Sequence, residues 1–412
     1  MIRAASQRYL DAYRGLPRDV WLLALVLFVN RCGAMVLCFL TLYLTSQIGL
    51  SEVAAGRMLA LYGIGSVGGA YLGGRCSERF GAFRVQTVCM FIAVPLLMLI
   101  PLWSHWQAIG LSLLVLALFS EAVRPANATA IARVTTLDNR ARAFALQRLA
   151  ANLGFSFGPA IGGMLAKIEY KLLFVVDALT TLVAACILLY FFRMRRVENP
   201  ESAAPVDPDP RSPLSDRKFV AFLLLMFATF VVFMQFLVTY PLYLRDHYGL
   251  EENEIGLLFA VNTTIIVVFE MVLIDYVRHW PLIQLIGWGS FLACVGFGML
   301  PFGSTAQFAV IAMIVVTIGE MLAFPTTMAY VSQRAPTGSE GRYMGWYTVA
   351  HSVAWIVAPL LGSTLYAIAT ELVWYVGLAT AIAVLAGYQL LASAPNYDDA
   401  TGSNADSASF NS

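Results

Sequence analysis

The chain has 412 residues, 59% of them hydrophobic and 12% charged, with a mean hydropathy of +0.73 and a formal net charge of +1. Soluble domains carry about 25% charged residues, so this composition excludes an ordinary globular enzyme and reads as an integral membrane protein. Runs of the roughly 20 apolar residues that a spanning helix needs recur along it, without the alternation of a membrane barrel. The fold class is therefore all-α, and the bilayer is its first partner. The absence of a basic tract gives no sign of a nucleic-acid partner.

Residues 1–18 are polar, carry Arg3, Arg8, Arg14 and Arg18, and suit a surface amphipathic helix. The first apolar run, about Val20 to Thr45, is too long for a cleaved leader and ends on no small-residue cleavage site. Five more follow, near Ala54–Cys76, Val85–Trp103, Gln107–Ile131, Ala143–Ala166 and Lys171–Phe192. Residues 193–218 form the one long polar stretch of the interior, rich in Pro, Asp, Ser and Arg, and read as a linker between halves. Six further runs lie near 219–244, 254–277, 281–300, 306–331, 343–367 and 371–393. The domains expected are 1–192 and 219–393, six helices each, with a polar and disordered tail over 394–412. The six cysteines lie almost entirely in apolar runs and have no metal-ligand spacing, so they read as small buried hydrophobes. Neither a metal nor a cofactor is expected.

The halves repeat with an offset of 200 residues. Leu42-Tyr43-Leu44 returns as Leu242-Tyr243-Leu244, Gly56 as Gly256, Pro125 as Pro325, Arg142 as Arg342, Pro159 as Pro359 and Gly162 as Gly362. Two duplicated six-helix units are the plan of parallel-repeat transporters. Most Lys and Arg residues fall on the side of the linker and both termini, which makes that side cytoplasmic. The compact loops suggest a bacterial inner membrane, and the chain is expected to be a monomer.

The short connection Gly73–Arg84, GGRCSERFGAFR, joins the second and third runs. Its Gly74, Glu78, Arg79, Gly81, Phe83 and Arg84 resemble the cytoplasmic signature G-x-x-x-D-R-x-G-x-R-R of the major facilitator superfamily, with Glu78 in place of Asp and Phe83 in place of a basic residue. In the fifth run Gly154, Gly158, Pro159, Gly162 and Gly163 resemble the G-x(8)-G-x(3)-G-P-x(2)-G-G motif of the drug/H⁺ antiporter branch, with Ala145 at its first glycine. Gly and Pro there make a close-packed, kinked helix able to seal against a neighbour on the periplasmic side.

The resemblance implies a twelve-helix transporter whose helices one, four, seven and ten line a central cavity. The polar residues on those helices are then the cavity candidates: Asn30, Arg31, Glu121, Arg124, Gln235 and Glu320, with Phe324 and His351 beside them. Charged groups at membrane depth cost roughly 2.5–3.5 kcal/mol on insertion scales, so they are functional or paired. Glu121 and Arg124, three apart, share one helix face. They are either a self-satisfied pair or, with Arg31, a network whose carboxylate takes a proton as substrate leaves. Glu121, Glu320, Glu270 and Asp177 are the proton-carrier candidates, with Arg148 next. Asp275 and Arg278 read as a worn copy of the signature loop.

The expectation is a proton-coupled exporter of small amphipathic compounds working by alternating access. The alternative is a proton-coupled importer of a peptide, sugar or organic anion. A membrane enzyme would need a nucleophile with its base, or metal ligands. His105, His247, His279 and His351 are scattered, and no H-x-x-x-H, G-x-S-x-G, Walker or dinucleotide motif stands out.

Overall fold

A computed structural model describes residues 15–103, 105–192, 212–277, 279–336 and 340–393. Most of the expected surface helix, most of the linker, the tail and Arg278 lie outside these residues, as do the side chains of Glu78 and Asp275. The described residues are helical and contain no strand.

The first span is broken in two, α1 (Arg18–Gly33) and α2 (Val36–Leu42), the latter continuing through a π turn at Tyr43–Gln47. The first half continues with α3 (Glu52–Phe80), α4 (Ala82–Leu99), α5 (Trp106–Val134), α6 (Leu137–Ile168) and α7 (Lys171–Phe192). The second half opens with a span broken in the same way, α8 (Arg217–Phe233) and α9 (Tyr240–Tyr248) joined by a 3₁₀ turn at Met234–Phe236. It continues with α10 (Glu252–Val277), α11 (Leu282–Gly298), α12 (Ala306–Arg334), α13 (Glu340–Ile368) and α14 (Leu372–Ser393).

The 200-residue repeat thus extends from sequence to structure. Glu52 and Glu252 both open helices, 3₁₀ turns follow at Ile100–Leu102 and Leu300–Phe302, and α6 and α13 end on Ile168 and Ile368. Pro125 and Pro325 sit inside α5 and α12, and Pro159 and Pro359 inside α6 and α13.

Among the described residues ten helices are long and apolar enough to cross a membrane. The remaining two of the twelve passes are α11, at 17 residues, and α3, whose apolar run is diluted by glycine. The dilution has a packing reason. A Cβ at Gly65, Gly69 or Gly73 would stand 2.1, 2.3 or 2.5 Å from the carbonyl oxygen of Leu114, Leu118 or Ala122 on α5. This stripe of small residues four apart lets the two backbones touch, which is how helices associate where no hydrophobic effect separates them from lipid. The opposite face of α3 meets the second half, with Gly56 against Pro359 and Ser363 and Gly63 against Trp355.

Two helix pairs make the largest contacts between the halves, α3 with α13 and α6 with α10. We call the end where α7 finishes and α8 begins the linker end, and the opposite end distal. The distal end is sealed. Gly163 abuts the backbone of Glu252 and Asn253, Gly256 abuts Pro159, and Lys167 pairs with Glu251. Tyr170 donates to Glu252 at 2.8 Å, and Thr41 donates to the Leu237 carbonyl at 3.1 Å. One buried core runs through both halves there, with Phe39 edge-on to Phe259 at 6.4 Å.

Candidate functional site

The break in the first span builds the site. A helix interrupted at membrane depth exposes backbone N–H groups that water cannot satisfy, so protein must. Asp177 of α7 stands near the Val36 N–H, where α2 begins, and near the Thr181 hydroxyl, and the charge of Arg31 acts on it. One turn earlier Asn30 donates to Thr181 at 3.1 Å. The approach of the two helices is close: a Cβ at Gly33 would stand 1.7 Å from Thr180 Oγ1.

These residues edge a cavity of about 550 Å³, bounded mainly by the first half, with Leu237 and Met328 closing it from the second. It reaches toward the linker end, where Ile131, Phe144 and Met328 line it. The wall is mostly apolar, and the charged groups on it are Arg31, Glu121, Arg124, Arg148 and Asp177. Glu121 and Arg124 share a face as their spacing requires, but loosely: Arg124 Nε is 4.0 Å from Glu121 Oε2, and the Arg124 side chain is 52% exposed. Arg124 is also near enough to Tyr347 and His351 of the second half for its charge to act on them.

Of the residues singled out from sequence, Asn30, Arg31, Glu121, Arg124 and Asp177 line this cavity. Gln235, Phe324, His351, Glu270 and Glu320 are not among its lining residues. Gln235 lies in the break of the second half's first span. It is buried, donates to the Val231 and Ala358 carbonyls at 3.1 and 2.9 Å, and accepts from Thr239 at 3.0 Å. Phe324 and His351 pack edge-on against Phe233 and Phe230 in an aromatic cluster.

Glu320 sits in a second polar cluster between α10 and α12. Asn262 donates to Glu320 at 2.9 Å and to Thr317 at 3.0 Å. Glu270 is buried and ion-paired with Arg148 across the halves. The charges of both Glu270 and Arg148 reach Glu320. The cavity and the second cluster are thus connected through one arginine, Arg148, which lines the first and pairs into the second.

The motif glycines of α6 divide by face. Gly154, Gly158 and Gly162 pack on the first span at Arg31, Cys32 and Met35, within their own half. Gly163 and Pro159 meet the other half. In the loop motif Gly81 has φ +91°, a conformation that favours glycine, and it ends α3 and starts α4. Gly74 faces Pro125 of α5, while Arg79 and the adjacent Phe80 form a cation–π contact at 5.3 Å. Arg84 lies in the first turn of α4.

Sequence reasoning did not single out Tyr62, Thr181 or Asn262. Tyr62 lines the cavity, and Tyr62 and Asn262 are 200 apart. Polar side chains at one depth of both repeats were the signal available for this pair.

The family model of the Major Facilitator Superfamily matches residues 23–359. The chain is 28% identical to the uncharacterized MFS-type transporter YttB of Bacillus subtilis (strain 168), covering 85% of this chain and 89% of that one. It is 24% identical to Multidrug resistance protein 1 of the same organism, over 89% and 96% of the two chains. Its fold is similar to a crystal structure of the peptide transporter POT in complex with sulfate, with a TM-score of 0.76 at 15% identity, covering 92% of this chain and 95% of that one. Duplicated six-helix halves around a central cavity and a family match over most of the length lead to one conclusion: this is a transporter, not an enzyme, and the chain belongs to the Major Facilitator Superfamily.

Proposed function

We propose that this transporter is a proton-coupled exporter of small amphipathic compounds, placed in the bacterial inner membrane with its linker and both termini cytoplasmic. The observation that carries the reading is the cavity itself. It is large enough for a small organic molecule, mostly apolar, charged at a few points, and separated from the distal face by the packed ends of α6 and α10. Loading then occurs from the linker side. Release requires the two halves to rock apart at the distal seal and together at the linker end.

The carboxylates Glu121 and Asp177 at the cavity, and Glu270 and Glu320 behind Arg148, supply places for the coupling proton. Arg148 ties substrate occupancy to the second group, because movement of α6 against α10 alters its pairing with Glu270. The similarity to Multidrug resistance protein 1 supports export of amphipathic compounds.

Reconstitution in liposomes with a trapped pH dye tests this reading. Amphipathic compounds are expected to drive protons the opposite way, and Glu320→Gln or Glu121→Gln to abolish that movement. Protons and compound moving together would make the protein an importer. Compound movement without protons would remove the coupling.

A further inference from the structure

The polar groups of the cavity leave a surplus of one kind. Arg148 is engaged by Glu270. Asp177 has the Val36 N–H, the Arg31 charge and the Thr181 hydroxyl acting on it. Glu121 has the Arg124 guanidinium beside it, with Nε at 4.0 Å. Arg31 lines the cavity and its charge acts on Asp177, but no hydrogen bond or close ion pair holds its guanidinium among the described residues. Half-exposed Arg124 turns only its Nε edge toward Glu121. A guanidinium carries five N–H donors in a planar fork that matches a carboxylate. Two such forks in an apolar-walled space, with the nearby carboxylates occupied, want an acceptor that the protein does not provide.

The remainder of the wall, Leu37, Leu97, Leu113 and Phe155 among others, suits a hydrocarbon or aromatic body. An amphipathic cation would find the reverse of what it needs, since neither cavity carboxylate is free of cationic or N–H neighbours. We propose that the cavity binds amphipathic organic anions, docking their carboxylate on Arg31 with Arg124 as the second arm. This rests on reading the cavity as the substrate site, and it names the substrate class.

The test is equilibrium binding to the full chain in nanodiscs, read by dansyl emission with empty nanodiscs as background. Three probes share one apolar body: dansylglycine, with a carboxylate; dansylglycinamide, neutral; and dansylcadaverine, cationic. Dansylglycine is expected to bind about tenfold or more tightly than either of the others, as a charge-assisted bidentate contact implies. Arg31→Gln should reduce that preference to near unity, Arg31→Lys should keep part of it, and Arg124→Gln should weaken it less than Arg31→Gln. Equal binding of the three probes by the parent, or tighter binding of dansylcadaverine, overturns the proposal, and this comparison needs no variant to fold. A preference unchanged in a well-folded Arg31→Gln overturns it too. Binding is measured without a proton gradient, so the two readings fail separately. Loss of proton-driven export with the preference intact sinks the export reading alone, and export without the preference sinks this one alone.

Discussion

Asp177 on α7 stands near the backbone N–H of Val36, the residue at which the first membrane span resumes after its break. The carboxylate thus faces the start of a discontinuous helix as well as the cavity. An orphaned donor in hydrocarbon is costly, so the break is stable only while the acceptor remains.

Asp177→Ala should therefore destabilise the protein by about 1–3 kcal/mol, the cost of leaving a buried donor unmade. Asp177→Asn, which keeps an acceptor of the same shape, should cost about half as much. Thermal unfolding of the purified variants in one detergent measures both. An alanine variant melting with the parent would show that the break is held by something other than this contact.

The glycines of α6 predict two different phenotypes. A methyl at Gly163 would stand 2.3 Å from the Glu252 carbonyl oxygen and 2.8 Å from the Asn253 Cα. Both are backbone atoms of the other half, so no rotamer change relieves the clash. Gly163→Ala should push the distal ends apart, and spin labels at positions 169 and 254 should report a longer distance across the seal. Gly154→Ala meets Arg31 Cβ and the Phe28 carbonyl inside the first half, each at 2.7 Å. It should lower the melting temperature and leave the distal distance in place. The same distance distribution in Gly163→Ala and parent would remove Gly163 from the seal.

The duplicated plan was legible because its markers are proline, glycine and chain length. Pro159 and Pro359 fix kinks at the same depth of both repeats, and helix starts follow the same offset at Glu52 and Glu252. The cavity charges do not repeat: Arg31, Glu121, Arg124 and Asp177 stand opposite Val231, Met321, Phe324 and Gly377. A cation or anion on an apolar helix is conspicuous in sequence, and these four all reach the cavity. The neutral groups gave no such signal. Gln235 sits in the 3₁₀ turn that follows α8, and α8 carries bulky apolar residues around most of its circumference, so periodicity does not tell which way the amide points. The break at Ala34 and Met35 has no proline to announce it; it is visible only once Asp177 of a distant span is seen at Val36.

Arg148 and Glu270 are expected to be coupled. Glu270 is buried and Arg148 is half exposed, so removing the arginine leaves the more costly orphan. Arg148→Gln should destabilise more than Glu270→Gln, and the double variant should recover part of the loss, with an interaction energy of about 0.5–3 kcal/mol. Strict additivity in thermal unfolding would mean that the two side chains act independently.

At the linker end Asp216 ties three helix ends of the second half together. It caps α8 by accepting from the Lys218 and Phe219 N–H groups at 3.1 Å each. It also takes a two-pronged contact from Arg334 of α12 at 2.8 Å per bond. Tyr343 of α13 donates to it at 3.5 Å. In the first half Leu16 and Val134 occupy the equivalent positions, and Leu16 is buried in an apolar cluster. Partial burial pushes the Asp216 carboxyl up, but Arg334 and the two backbone donors outweigh it and hold the group below its ordinary 3.8. A depressed carboxyl stabilises the fold fully above its unfolded value and loses that contribution as pH falls through the folded one. Asp216→Asn, which keeps the cap but not the ion pair, should therefore melt below the parent at pH 5–7. The gap should begin to narrow once pH falls beneath about 3.8 and close as pH passes the lower folded value. Asp216→Ala loses the cap as well, worth roughly 1 kcal/mol, and should remain less stable than both at every pH. A gap between parent and Asn variant that stays constant from pH 7 to pH 3 would show that the Arg334 contact contributes through shape alone, because the parent's carboxylate would then have no charge-dependent share to lose.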